Sequence, residues 1–83
     1  MSFRQVLHRQ LQTLQRSHLY ARLFATPLEI HESSDVALAV LHLLYCEDAP
    51  GKPPLRSQSR LTLAYRLLGG EWVMVADSNI PVR

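Results

Sequence analysis

Eighty-three residues with a single cysteine make one domain that has no internal disulfide and no evident metal framework to staple it. A chain of this size hides roughly 60–65% of its surface on folding. With 47% hydrophobic residues, part of its apolar surface is expected to end in a subunit interface, most simply that of a homodimer. The net charge of +2 is laid out in blocks: Arg4, Arg9, Arg16 and Arg22 with no acid as far as Ala25, then five acids with no Lys or Arg from Glu29 to Asp48, then positive charge again from Lys52 to Arg66. That alternation suits pairing within or between subunits, and it lacks the dense basic stripe of a nucleic-acid binder.

The longest strictly apolar run, "VALAVL" from Val36, falls far short of the roughly 20 residues that span a bilayer. The N-terminus does not show a charged lead followed by an apolar run. Lone Cys46 fits a reducing compartment. The expectation is a cytoplasmic protein with no membrane contact.

In chain order, "FRQVLHRQLQTLQRSHLYARLF" has the period of an amphipathic helix, expected over about residues 3–24. Phe3, Leu7, Leu11 and Leu14 form a stripe that Leu19 and Leu23 continue with a shift, and Arg4, Gln5, Arg9, Gln12 and Arg16 oppose it. Ser2 suits the N-cap, and Pro27 bars further helix. The period then changes to two. "PLEIHE" (27–32) sets Leu28 and Ile30 against Glu29 and His31 as a half-buried strand, and Ser33 to Asp35 turns the chain. Residues 36–46, "VALAVLHLLYC", are apolar on both sides, as in a central strand covered on both faces.

"DAPGKPPLRSQS" has the composition of a loop. Residues 59–68 alternate again, with Leu61, Leu63, Tyr65 and Leu67 on one side and Arg60, Thr62, Ala64 and Arg66 on the other. Gly69-Gly70 makes a tight hairpin turn. The last strand, 71–78, places Trp72, Met74 and Ala76 on one face and Val73 and Val75 on the other, and Pro81 stops the ladder. Strands joined by local turns pair antiparallel, so the fold class is α+β: one N-terminal helix and a curved four-stranded antiparallel meander.

"LEIHESSDVALAVLHL" (Leu28–Leu43) and "SRLTLAYRLLGGEWVMVADSNIP" (Ser59–Pro81) together resemble the C-terminal half of SnoaL-like proteins, in the nuclear transport factor 2-like superfamily with ketosteroid isomerases and polyketide cyclases. Ser34, Asp35, Val36, Ala37 and Leu38 match that family's "gDvAlv" strand start. Arg60 and Thr62 match its "R-x-T", Gly69-Gly70 its turn, and Trp72 and Val75 its closing "W-x-(I/V)-V". The resemblance implies a strongly curved sheet wrapped against helices around an apolar pocket, and dimerisation through the outer sheet face. The isomerases' catalytic carboxylate lies in the N-terminal part of that family, to which no residue here corresponds.

Two residues are candidates for acid-base chemistry. Asp77, in the register of Val73 and Val75, would act as a general base if it faced a cavity; otherwise it is a solvated strand-end carboxylate. His42 interrupts the apolar face of Val36, Leu38, Val40 and Leu44, either as a hydrogen-bonded core histidine or as a pocket acid-base group. Its Cα lies about 13 Å from that of Cys46, too far to share a zinc ion. Leu63, Tyr65, Trp72 and Met74 are the candidate ligand-binding residues, and also natural core or cross-strand partners. Arg60 and Arg66 are either solvated or paired with Glu29, Glu32 or Glu71.

No cofactor is implied. The leading expectation is a non-catalytic or vestigial binder of an apolar small molecule between helix and sheet. The alternatives are a protein-interaction module acting through an exposed sheet face and a basic helix, or a minimal isomerase or cyclase.

Overall fold

The computed structural model describes residues 1–82. One helix, α1 (Phe3–Leu14), precedes five strands: β1 (Arg16–Ser17), β2 (Ala21–Glu32), β3 (Val36–Glu47), β4 (Leu55–Leu68) and β5 (Glu71–Val82). The strands form one curled antiparallel sheet in the order β1-β2-β3-β4-β5. The α+β meander therefore stands as expected, with five strands rather than four.

The extra strand comes from the far end of the expected helix. At the N-terminus a capping box operates: Gln5 N–H donates to Ser2 Oγ (3.3 Å) and Ser2 N–H donates to Gln5 Oε1 (2.8 Å), which satisfies two otherwise orphaned donors. At the other end, Gln15 is already extended (φ −72°, ψ 121°). The chain turns at His18, whose N–H donates to Ala21 C=O (2.7 Å). Residues Ala21–Pro27 then pair with Glu47–Leu41. A strand limited to 27–32 would reach only the Val36–Leu41 half of β3 and leave the Leu43–Glu47 backbone without a partner on that side, which buried backbone does not tolerate.

Two more boundaries move for the same reason. β4 starts at Leu55 inside the expected loop, because Leu55–Gln58 pair with Glu47–Leu44. β5 continues through Pro81, which pairs with Ser59. β5 is a sheet edge, where a proline's missing N–H costs no ladder bond when that position faces outward. At the hairpin, Gly69 and Gly70 both have positive φ (57° and 81°), as a two-residue primed turn requires.

The core lies between α1 and one face of the sheet, called here the inner face. Phe3 and Leu7 meet Ala37, Ala39, Leu41 and Leu43 of β3 and Leu61, Leu63 and Tyr65 of β4, all buried. Phe3 sits edge-on to two rings, with centroids 5.1 Å from Tyr65 and 5.4 Å from Trp72. Along β3 the inner-face residues are small at Ala37 and Ala39 and large at Leu41 and Leu43.

The outer face carries Val36, Leu38, Val40, His42, Leu44 and Cys46 of β3, none of them fully buried. The expectation that β3 is covered on both faces is thus corrected. One twelve-residue helix can cover only one side, and among the described residues no other element crosses the outer one. The result is a slab of 51 × 25 × 17 Å with a radius of gyration of 14.9 Å, against about 12 Å for a compact chain of this length.

Candidate functional site

The expected site residues divide between the two faces. His42 lies on the outer face between Thr26 of β2 and Arg60 of β4. Its Nε2 is 2.8 Å from Gln58 Oε1. Asp77 lies on the inner face, opposite Leu63, and it is exposed. Its expected register with Val73 and Val75 is corrected by a bulge: Ala64 pairs with Ala76 but Tyr65 with Met74, leaving Val75 as the extra residue. Beyond a bulge the alternation is offset by one position. Ala76 therefore moves to the outer face with Val73, while Asp77 joins Trp72 and Met74. Asp77 and His42 are on opposite sides of the sheet and do not form one acid-base pair.

The four candidate ligand-binding residues are brought together on the inner face. Leu63 and Tyr65 are each 2% exposed and belong to the core. Trp72 packs on its margin, and Met74 is partly open. The Tyr65 hydroxyl is buried with no hydrogen-bond partner among the described residues, and burial raises its pKa above the ordinary value near 10. Tyr45 is raised too, first because its hydroxyl donates to Glu47 Oε2 (2.8 Å) and then through burial and the nearby negative charge.

The outer face is the larger apolar feature. Phe24, Val36, Val73 and Ile80 are between 40% and 62% exposed, and they surround the half-buried Leu38, Val40 and Leu44. Its charges are Arg22 and Glu29 on β2, Arg56, Arg60 and Arg66 on β4, and Glu71 on β5. Among the described residues, Arg60 and Arg66 make no ion pair within the chain. Both long edges of the sheet are interrupted in the same manner. β2 carries Pro27 and a bulge at Leu28, and β5 carries the Val75 bulge and Pro81. Such features turn an edge away from further strand pairing.

The polar face expected along the helix is shorter than its sequence suggests. Arg4 and Arg9 lie on α1, whereas Arg16 belongs to β1 and Arg22 to β2. Moving Arg22 onto a strand builds a feature that the sequence reading missed. At the Glu47 end of the outer face, Arg22, Cys46 and Arg56 are successive neighbours across three strands. With Tyr20, Phe24 and Asp48 they line an open depression of about 410 Å³. The signal was the period-two run Arg22, Phe24, Thr26, hidden by the longer helical pattern around it. None of the six candidate residues lines this depression or the four other surface concavities found beside it.

Among the described residues, no helix is long and apolar enough to cross a membrane. No family model matches the chain, and neither a curated protein nor a solved structure matches it.

Proposed function

We propose that this chain is a protein-interaction module that associates with a second copy of itself through the outer face of its sheet. The observation that carries the reading is the uncovered apolar face from Phe24 across Val40 to Ile80, on a sheet whose two edges are both blunted. Contiguous apolar surface of this kind marks interaction sites. Edge-to-edge growth is disfavoured, which leaves packing on the face. A slab 51 Å by 25 Å offers on the order of 1,000 Å², above the roughly 800 Å² per partner of a standard interface.

One acid-base pair fits a second copy. A twofold axis parallel to β3 lays β2 of one protomer over β4 of its partner. Glu29, level with Val40, then faces the strand bearing Arg60, level with His42, about 7 Å along the chain direction. Glu29 of each copy thereby comes near Arg60 of the other, while Arg22 and Arg56, both level with Cys46, come opposite one another at the end of the face. A SnoaL-like relationship accords with this reading through the helix-then-meander order and the motifs at Ser34–Leu38 and Arg60–Val75.

An apolar ligand between helix and sheet has less support, because Leu63 and Tyr65 are occupied in packing against α1. A minimal isomerase would have to work with Asp77 or His42 alone, since the sheet separates them.

Sedimentation velocity tests the proposal. The wild-type chain is expected to sediment as a dimer at tens of micromolar. Phe24→Asp and Ile80→Asp, both at positions open within one chain, are expected to leave a folded monomer. A wild-type monomer at every concentration, or dimers that survive both substitutions, would overturn the reading.

A further inference from the structure

We propose that the corner depression at the Glu47 end of the outer face is a binding site for a small planar aromatic monocarboxylate. The proposal does not require the self-association above, but Arg22 and Phe24 lie on the same outer face, so a partner copy and the ligand would compete for this corner.

The site is built by strand register. Arg22 of β2, Cys46 of β3 and Arg56 of β4 are consecutive lateral neighbours and point to the same side, so the two arginine Cα atoms are about 10 Å apart. This spacing spans the width of an aromatic ring. Phe24, two residues from Arg22 on the same face, and Tyr20 in the preceding turn add apolar walls, 42% and 47% exposed. The turn is fixed in place, because Asp48 N–H donates to Tyr20 C=O at 2.8 Å. About 410 Å³ lies within the range of small-molecule pockets.

Charge selects the ligand class. Asp48 engages Arg56 through both carboxylate oxygens, at 3.2 and 3.4 Å. Arg22 has no carboxylate within 4 Å among the described residues. Two guanidiniums against one carboxylate leave the lining a single positive charge, located at Arg22. A monoanion neutralises that charge, whereas a phosphate dianion would meet Asp48 without compensation. A guanidinium receives a carboxylate through two parallel N–H bonds, and an aromatic ring attached to that carboxylate would lie along Phe24 and Tyr20.

The experiment is a titration of the uniformly 15N-labelled chain with 2-naphthoate, followed by amide chemical shifts. Its neutral isostere 2-naphthamide and inorganic phosphate are titrated in parallel. Saturable 2-naphthoate shifts centred on Tyr20, Arg22, Phe24, Cys46 and Arg56 are expected, with 2-naphthamide and phosphate each binding at least tenfold more weakly. Arg22→Gln is expected to weaken 2-naphthoate at least tenfold while the spectrum stays dispersed. Asp48→Asn is expected to tighten it at least threefold by removing the opposing carboxylate.

No saturable binding by 2-naphthoate, 2-naphthamide binding as well as the acid, or unchanged affinity in Arg22→Gln would overturn the proposal. So would equal binding by phosphate, which would make this a general anion site, or shifts spread along the whole outer face in the Ile80→Asp chain, titrated alongside the wild type so that no partner copy covers the corner.

Discussion

Asp77 stands directly across the last ladder from Leu63, on the side of the sheet that carries α1. In an unbroken ladder it would stand across from Thr62 on the other side, and the Val75 bulge makes the difference. In a background where Cys46 is Ser, Thr62→Cys with Ser78→Cys is expected to crosslink under mild oxidation. Directly opposed residues bring their Cβ atoms within about 5 Å, close to the reach of a disulfide. Thr62→Cys with Asp77→Cys is expected to stay reduced. Thiol titration after oxidation reads both, and crosslinking of the second pair alone would place the ladder in the unbulged register.

Phe3 is 0% exposed and lies edge-on to both Tyr65 and Trp72. Truncating such a ring costs about 3–5 kcal/mol, against a total of about 4–12 kcal/mol for a domain of this length. Phe3→Ala is expected to lose most of the urea stability, with Trp72 fluorescence moving toward that of an exposed indole. A loss under about 1 kcal/mol would mean that α1 is not part of the cooperative core.

The buried Tyr65 hydroxyl has no partner among the described residues, and leaving such a group unpaired costs about 1–3 kcal/mol. Tyr65→Phe is therefore expected to be at least as stable as the wild type at neutral pH. The raised pKa has a definite sign. The folded state keeps its proton where the unfolded chain begins to lose one, so the unfolded state binds fewer protons above pH of about 10. The stability contribution is complete below that pH and is lost as pH rises through the folded pKa. Urea midpoints measured between pH 8 and 11 should fall less steeply in Tyr65→Phe than in the wild type, and parallel curves would argue against a buried phenol.

Ser2 and Gln5 cap α1 reciprocally. Ser2→Ala is expected to destabilise the chain by about 1 kcal/mol, and Ser2→Asp to restore most of it. Helical circular dichroism at 222 nm and the urea midpoint should move together, because α1 has no use except on the sheet.

What the sequence reveals differs along the chain. The strand from Val36 follows from its apolar run, the two faces of β4 from local alternation, and the turn between β4 and β5 from Gly69-Gly70. The segment from Arg16 to Thr26 does not. Leu19 and Leu23 fit a helical stripe, while Leu23 and Ala25 fit a strand equally well, and the choice is made by the unpaired half of β3 some 20 residues later. The same holds for Leu55–Gln58, where Arg56, Ser57 and Gln58 carry no strand pattern and pairing with β3 orders the segment. A bulge is silent in composition, so the face of Asp77 could not be read from alternation, whereas the corner at Arg22 was hidden by the helical pattern that runs through it.

Sequential pairing of the strands has a kinetic side. Each hairpin of the meander forms from neighbouring segments, so loop closures are short and entropically cheap. Phe3 is the exception, because its ring must find Tyr65 and Trp72 at the opposite end of the chain. Until the Gly69-Gly70 turn has brought Trp72 beside β4, α1 can rest only on β2, β3 and β4, so the edge-on seat of the Phe3 ring is completed late, after the meander has closed.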